Sequence, residues 1–371
     1  MENKKKRVLV AMSGGVDSSA VCMLLLNQGY QIEGVTMRMW DTERSFAKFR
    51  RDEPDYILEA RSLAEKLNFP HHVLDVRPEF KAKVIDYFTS EYLSGRTPNP
   101  CVECNRHIKW KLLLDLADRR NCEYIATGHY AQIEQTGDFF YIKKGDDEKK
   151  DQSYFLWGVS QEILSRAMMP LGRMTKEETK AEAIKNGFDQ LVKKSESMEI
   201  CFVEKDYRDF LRENIPSVDE NPGQGYFVDK QGKKLGVHKG FPFYTIGQRK
   251  GLEIALGYPA YVLKINPRKN TIMLGEKEQL ETNRMLVENY LLVNPSDVEN
   301  NKKVEVRIRY RSKPEPATIE IIDENYLQVH FETPVSAVTP GQSAVFYSGD
   351  CVLGGGVIAN FKNSCKFSRE A

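Results

Sequence analysis

The chain of 371 residues is 41% hydrophobic and 29% charged, an ordinary folded composition that excludes a disordered or fibrous protein and leaves room for about two or three domains. The 54 Lys and Arg against 53 Asp and Glu give a net charge of +1, so any polyanion has to be met by a local basic face. The longest apolar run, near Ala20–Leu26, is far short of the roughly 20 residues of a membrane span, and the first residues, Met-Glu-Asn-Lys-Lys-Lys-Arg, lack the apolar stretch of a signal peptide. A cytoplasmic chain with no membrane partner is expected.

In chain order, Arg7–Ala11 reads as a buried strand, Asp17–Gln28 as a helix and Ile32–Met37 as a second strand. Pro54–Leu67 has one apolar helical face, His72–Val76 is a third strand, Asn105–Arg119 a helix and Glu123–Ala126 a further strand. This alternation predicts an α/β fold with a doubly wound parallel sheet, whose ligands sit beyond the carboxyl ends of the strands. After about residue 205 glycine and proline become frequent, with short strands expected at Gly225–Val228 and Tyr261–Ile265. From Val287 onward the pattern is all-β. Val304–Arg311 alternates strictly and predicts a strand with Arg307, Arg309 and Arg311 on one basic face; Thr318–Ile322, Leu327–Phe331 and Ala344–Tyr347 follow. Three modules are expected: residues 1–205, a small central linker domain at 206–280, and a C-terminal β-barrel at 281–371.

Ser13-Gly14-Gly15-Val16-Asp17-Ser18-Ser19 lies between the first strand and the first helix. Its glycines let the backbone turn and approach a ligand closely, and the helix N-terminus directs N–H groups at an anion. There is no Gly-Lys-Ser/Thr, so this is not a Walker A loop. The plain alternative is a turn in which Asp17 or Ser18 caps the helix; the full string in a strand–loop–helix setting favours phosphate binding.

Seven cysteines, an odd number, argue against a disulfide framework and towards metal or thiol chemistry. Thr97-Pro98-Asn99-Pro100-Cys101-Val102-Glu103-Cys104-Asn105 combines an extended entry with a Cys-x-x-Cys pair ahead of a helix. A Cys104 thiol at that helix N-terminus is expected to have a lowered pKa and to act as a nucleophile. A structural zinc site needs a second pair of ligands at matching spacing, and no such pair exists. Cys201 is the remaining candidate partner, while Cys22, Cys122, Cys351 and Cys365 read as structural or incidental.

Ser13–Ser19 resembles the loop of the N-type ATP pyrophosphatases. Taken with Arg96–Asn105, Ala126–Ala131 (ATGHYA), Lys150–Leu156 (KDQSYFL), Met169–Gly172, Glu199–Val203, Tyr244–Leu252 (YTIGQRKGL), Arg309–Arg311 and Val338–Tyr347 (VTPGQSAVFY), it makes the chain similar to the bacterial tRNA-specific 2-thiouridylases. The resemblance implies ATP-dependent exchange of oxygen for sulfur at C2 of the wobble uridine of tRNAs for lysine, glutamate and glutamine, through an adenylated O2, with AMP and pyrophosphate as products. It implies ATP held with Mg²⁺ by Ala11, Met12, Ser13, Gly14, Gly15, Val16, Asp17, Ser18, Met37 and Gly128. It places Asn99, Pro100 and Cys101 against the target base, and His129, Lys150, Asp151, Gln152, Arg309, Tyr310 and Gln342 on the tRNA. Cys201 would carry a persulfide delivered by a sulfur relay or a cysteine desulfurase, and Cys104 would attack it, forming a disulfide or releasing sulfide.

Many family members have Asp where Cys101 stands. Three cysteines therefore open a second route, an oxygen-labile [4Fe–4S] cluster on Cys101, Cys104 and Cys201. Two other readings compete with it: an amide-forming ATP pyrophosphatase, which would not need Cys104, Cys201 or the barrel, and a non-catalytic RNA-binding redox sensor.

Overall fold

The computed structural model describes residues 5–46, 52–192, 200–299 and 302–360. Cys365 and the Ser197–Glu199 stretch ahead of Cys201 lie outside them. The backbone gathers into two compact units: Met1–Val84 with Cys101–Phe202 and Asp350–Val352, and Ile85–Pro100 with Val203–Gly349 and Leu353–Ala371. No helix among the described residues is long and apolar enough to cross a membrane.

The first unit is built on a parallel sheet. Its centre is β1 (Arg7–Ala11), whose Val8, Leu9 and Val10 are completely buried, each burial contributing about 2 kcal/mol. The strand pairs with β2 (Gln31–Arg38) on one side and β4 (Tyr124–Ala126) on the other, and β3 (His71–Asp75) lies outside β2. The full order is β3-β2-β1-β4-β7, with β7 (Ala167–Met168) outside β4. The chain thus winds outward from β1 in both directions, and the crevice between the carboxyl ends of β1 and β4 is the switch point where such sheets bind ligands. Helix α1 (Val16–Asn27) packs on this sheet through Ala20, Val21, Cys22, Met23 and Leu25, and α2 (Asp55–Lys66) through Ile57, Ala60, Leu63 and Ala64. Cys22 is therefore a core residue. The hairpin β5 (Ala131–Thr136) and β6 (Phe139–Lys144), with β7, was not evident in the sequence.

The helix expected from Asn105 starts earlier, at Pro100, and reaches Arg119. Proline suits a first helical position, where its missing N–H costs nothing. Directly after Cys104 the helix widens into a π turn, Asn105–Lys109, in which the Trp110 N–H bonds to the Asn105 carbonyl. Such widened turns recur at functional sites.

In the second unit a small sheet runs β10-β11-β8-β9, from β8 (Gly225–Val228), β9 (Lys234–His238), β10 (Tyr261–Asn266) and β11 (Thr271–Gly275). A barrel follows from β12 (Glu281–Leu292), β13 (Val304–Arg307), β14 (Glu315–Ile321), β15 (Tyr326–Ser336), β16 (Ser343–Ser348) and β17 (Cys351–Ile358). Its order is β12-β15-β14-β13-β16-β17, and pairing of β12 with β17 closes it. The strand expected over Val304–Arg311 stops at Arg307. Its pairing with β16 ends at Arg307↔Val345, and Arg309–Ser312 closes a turn through the Ser312 N–H to the Arg309 carbonyl at 3.1 Å and the Ser312 hydroxyl to the same oxygen at 2.9 Å.

Candidate active site

The phosphate-type loop leaves β1 at Met12, whose N–H bonds the Val35 carbonyl of β2 at 2.8 Å, so the end of β2 that carries buried Met37 flanks the loop. Gly14 has φ +69°, and a Cβ there would lie 2.5 Å from the Tyr56 carbonyl oxygen; only glycine fits. Ser13 N–H donates to Ser18 Oγ at 3.1 Å, and the hydroxyls of Ser18 and Ser19 donate to the Gly15 carbonyl at 3.2 and 2.9 Å. Neither Asp17 nor Ser18 caps α1: its N-cap is Gly15, and no side-chain hydrogen bond caps it. The loop is braced from within while the leading N–H groups of α1 are left to an anion.

Asp17 is instead tied sideways. Lys176 Nζ donates to both its carboxylate oxygens, at 2.7 and 2.9 Å, and Tyr130 OH donates to Oδ1 at 2.8 Å. Lys176 is buried at the first position of helix Lys176–Lys185, which Thr175 and Glu178 cap reciprocally. Sequence reasoning missed Lys176; only the Thr175-x-x-Glu178 capping pattern marked the place.

The turn Thr127–Tyr130, leaving β4 across the switch point, meets the loop directly. A Cβ on Gly128 would lie 3.2 Å from the Asp17 carbonyl carbon and the Ser18 nitrogen. Gln152 braces this turn, its Oε1 accepting the Tyr130 N–H at 3.0 Å and its own N–H reaching the Tyr130 carbonyl at 2.9 Å. The buried carboxylate of Asp151 is engaged by the Gly145 and Ser153 N–H groups at 3.2 and 3.1 Å and by the Ser153 hydroxyl at 3.0 Å; Lys150 beside it is half-buried. His129 is buried, bonds Thr127 Oγ1 through Nδ1 at 2.7 Å and stacks on Trp110 at 5.7 Å. Burial, with Lys109 adding to it, pushes its imidazole down to about 3, so it is neutral at any working pH.

Cys101 and Cys104 share one helical turn, and the charges of Cys101, Cys104, Cys201 and Lys109 influence one another's titration. Cys104 is buried, Cys101 half-buried and Cys201 exposed. Phe202, next to Cys201, is anchored edge-on against Phe80 with centroids 5.8 Å apart. The expected acidic thiol is not what this site contains. Cys104 lies within a helix begun at Pro100, and burial pushes its thiol up to about 12, while Cys101 rises to about 11. Surrounding protein raises Cys201 as well, despite its exposure. Lys109 opposes the rise at all three. Lys109 was also missed; in the run Arg106-His107-Ile108-Lys109 it reads as one more solvated cation. Among the described residues, no three Cys, His, Asp or Glu side chains stand together as a metal-holding group.

The remaining expected residues lie in the second unit. Asn99 is buried with its Nδ2 3.4 Å from Ser343 Oγ, and Gln342 Nε2 donates to the Thr97 and Pro98 carbonyls at 3.0 and 2.9 Å. The segment before Pro100 is further fixed by Arg96, paired with Glu91 at 2.7 Å and Glu288 at 2.6 Å. The basic strand face is corrected to a turn: Arg309 is exposed and donates to the Ser336 carbonyl at 3.2 Å, Tyr310 is half-buried, and Arg307 lies over the Tyr347 ring at 5.6 Å.

Three consecutive stretches match known domain families: the tRNA methyl transferase HUP domain over residues 6–205, the tRNA methyl transferase PRC-barrel domain over 208–276, and the aminomethyltransferase beta-barrel domain over 282–358. The tRNA-specific 2-thiouridylase MnmA 3 of Phocaeicola vulgatus is 53% identical over 370 residues, covering 100% of this chain and 99% of that one. The chain belongs to the tRNA-specific 2-thiouridylase family. A second 2-thiouridylase, from Bacteroides fragilis, is 50% identical over 97% of this chain and 96% of its own. Among solved structures, a 4-thiouridine synthetase–RNA complex with bound ATP is 16% identical, with a TM-score of 0.38 over 57% of this chain and 51% of that one. Membership of the 2-thiouridylase family over the whole length sets aside the amide-forming synthetase and the non-catalytic redox sensor.

Proposed function

We propose that the protein is an ATP-dependent tRNA 2-thiouridylase, and that its substrates are the wobble uridines of tRNAs for lysine, glutamate and glutamine. The observation that carries this is the shared turn: Thr127–Tyr130 touches the phosphate loop through Gly128 and Tyr130, and its His129 stacks on Trp110 of the helical run that begins at Pro100 and carries Cys101 and Cys104. Activation and sulfur delivery therefore meet at one crevice of one unit.

Uridine O2 is a poor leaving group. Its attack on the α-phosphorus of ATP expels pyrophosphate, whose charge is met by the leading N–H groups of α1 and the hydroxyl of Ser13. Lys176 and Tyr130 hold Asp17, and with it the first turn of α1. Mg²⁺ travelling with the triphosphate would neutralise further charge. The terminal sulfur of a Cys201 persulfide then attacks C2, and AMP departs with the former O2. Cys104 thiolate attacks the Cys201 sulfur, leaving 2-thiouridine and a Cys104–Cys201 disulfide that an external thiol reduces for the next turnover. A sulfur-relay protein or cysteine desulfurase would load Cys201, whose exposure suits it to that exchange.

The persulfide route is preferred to a [4Fe–4S] cluster. Lys109 already supplies positive charge among the three thiols, and they form no metal-holding group in this structure. Arg309 and Tyr310, in their turn on the barrel, are assigned to the tRNA backbone. The reading is tested by incubating the protein with unmodified tRNA, ATP and a persulfide donor and analysing nucleosides and nucleotides. 2-Thiouridine with AMP is expected; ADP and phosphate would overturn it.

A further inference from the structure

Thr97-Pro98-Asn99-Pro100 and Pro340-Gly341-Gln342-Ser343 are far apart in the chain and are bonded together inside the second unit. Pro98 and Pro100 have no N–H, so only Thr97 and Asn99 can donate from the first run, too few to sustain a helix or strand of its own. Its position is set from the second run. The Thr97 N–H donates to the Pro340 carbonyl at 2.9 Å, and Gln342 Nε2 donates to the Thr97 and Pro98 carbonyls at 3.0 and 2.9 Å. Gly341 has φ +91°, and a Cβ there would lie 2.8 Å from the Thr97 carbonyl oxygen, so the two backbones meet as closely as glycine permits. The mount is itself fixed in the barrel: the Gln342 carbonyl accepts the Ile358 N–H at 2.8 Å, and the Gly341 N–H donates to the Ile358 carbonyl at 2.9 Å.

We propose that Pro340–Ser343 is the platform that positions the target base, with Gln342 acting on the uridine through the Thr97 and Pro98 carbonyls and not as a contact to the tRNA. The assignment rests on the thiouridylase reading and deepens it.

A carboxamide has two N–H groups, and both of those on Gln342 are spent on protein carbonyls. What remains is Oε1, an acceptor, which cannot bond a phosphate oxygen. Pro98 is buried, so its carbonyl has to find a donor within the protein, and Gln342 is that donor. Immediately before the run, Arg96 joins Glu91 and Glu288 with all three side chains largely buried, so the segment is held at its entry as well. Removing the Gln342 donors therefore frees the part of the chain assigned to the base while leaving its entry anchored. Adenylation at O2 and sulfur attack at C2 use the same seating of the uridine, and a shift of about 1 Å in a reacting group can cost about a hundredfold in rate. Loss of this platform differs in that respect from loss of a cysteine, which touches sulfur transfer alone.

The test uses the full-length protein, unmodified tRNA and ATP, with two variants. Gln342→Met keeps the side-chain length and removes its donors; Gly341→Ala sets a methyl group against the Thr97 carbonyl and takes no side chain away from the RNA. In both, kcat for tRNA-dependent pyrophosphate release and for 2-thiouridine formation should fall together by about tenfold at saturating tRNA. The tRNA Kd from filter binding should stay unchanged, and amide hydrogen exchange in the peptide spanning residues 94–104 should quicken. Gln342→Glu, of the same length and without a donor at pH 8, replaces the methionine variant where that does not yield folded protein. Weaker tRNA binding with an unchanged kcat would make Gln342 an RNA contact and overturn the assignment. Unchanged kcat in both variants, or unchanged exchange in 94–104, overturns it too. If the parent protein makes no 2-thiouridine while exchange still quickens in the Gln342 variant, the thiouridylase reading fails and the hold of the platform on the segment stands.

Discussion

Lys176 and Lys109 serve two halves of one crevice and are neutralised in opposite ways. Lys176 is buried against a carboxylate, doubly bonded to Asp17 at 2.7 and 2.9 Å, so the phosphate loop is finished before any ligand arrives. Lys109 is half-buried with no carboxylate ion-paired to it among the described residues, and burial keeps the Cys101 and Cys104 thiols near its helix protonated. The first region is rigid machinery for placing a triphosphate. The second holds thiols that burial keeps neutral until one of them has to carry charge. Preorganisation for a ligand that always carries charge differs in this way from preorganisation for one that acquires it.

The contrast is broken most severely at the cysteines. Cys104→Ser and Cys201→Ser should each abolish 2-thiouridine formation while tRNA-dependent pyrophosphate release stays near the parent level, measured by nucleoside mass spectrometry and a coupled phosphate assay. Loss of both signals together would mean that the thiols support activation as well, and the two regions would not be separable.

The loop is broken next. Gly14→Val combines a left-handed backbone with a Cβ 2.5 Å from the Tyr56 carbonyl and should lower pyrophosphate release about a hundredfold or more. Gly15→Ala is the control, since the nearest atom to its Cβ is Ser13 Oγ at 3.5 Å, an ordinary contact. A Gly14 variant as active as the Gly15 variant would remove the steric argument.

The pH dependence sharpens the comparison. Because burial holds the Cys104 thiol near 12, its thiolate fraction grows about tenfold per unit between pH 7 and pH 9, and single-turnover sulfur transfer should climb with it. Pyrophosphate release, measured on the same samples, should stay nearly flat across that range. A transfer rate that falls or levels off with rising pH would show that another group limits it.

The smallest effect is expected on the barrel. Arg309→Ala should weaken tRNA binding by about 1 kcal/mol and reduce the salt slope by about one unit, with ATP binding untouched. Unchanged affinity in a filter-binding titration would return this turn to the solvent.

What the sequence disclosed follows the same division. The bounds of β1 are those read from RVLVA, because a central parallel strand buried on both faces leaves a short β-branched run no other place. The loop string was equally legible, since its glycines answer to local backbone demands such as φ +69° at Gly14. The strand at Val304–Arg311 was overextended because the apolar alternation outlasts the pairing: Ile308 is still buried after β13 has ended, and the turn is made by the hydroxyl of Ser312. At the thiols the residues were legible and their electrostatics were not. The direction of the Cys104 shift depends on what packs around it, and the place of Lys109 depends on a π turn that changes the phase of the helix by one residue. Neither is written in local spacing. Lys176 depends likewise on a contact with Asp17 across most of the unit's sequence.

The account stands on activation and sulfur transfer being two separable reactions at one crevice. The most direct measurement is a single-turnover experiment with the parent protein loaded with persulfide, unmodified tRNA and ATP labelled in the α-phosphate, following AMP, pyrophosphate and 2-thiouridine together. One AMP and one pyrophosphate for each 2-thiouridine, with pyrophosphate appearing first, is the predicted result. Labelled ADP as the product, or 2-thiouridine formed without AMP, would contradict it.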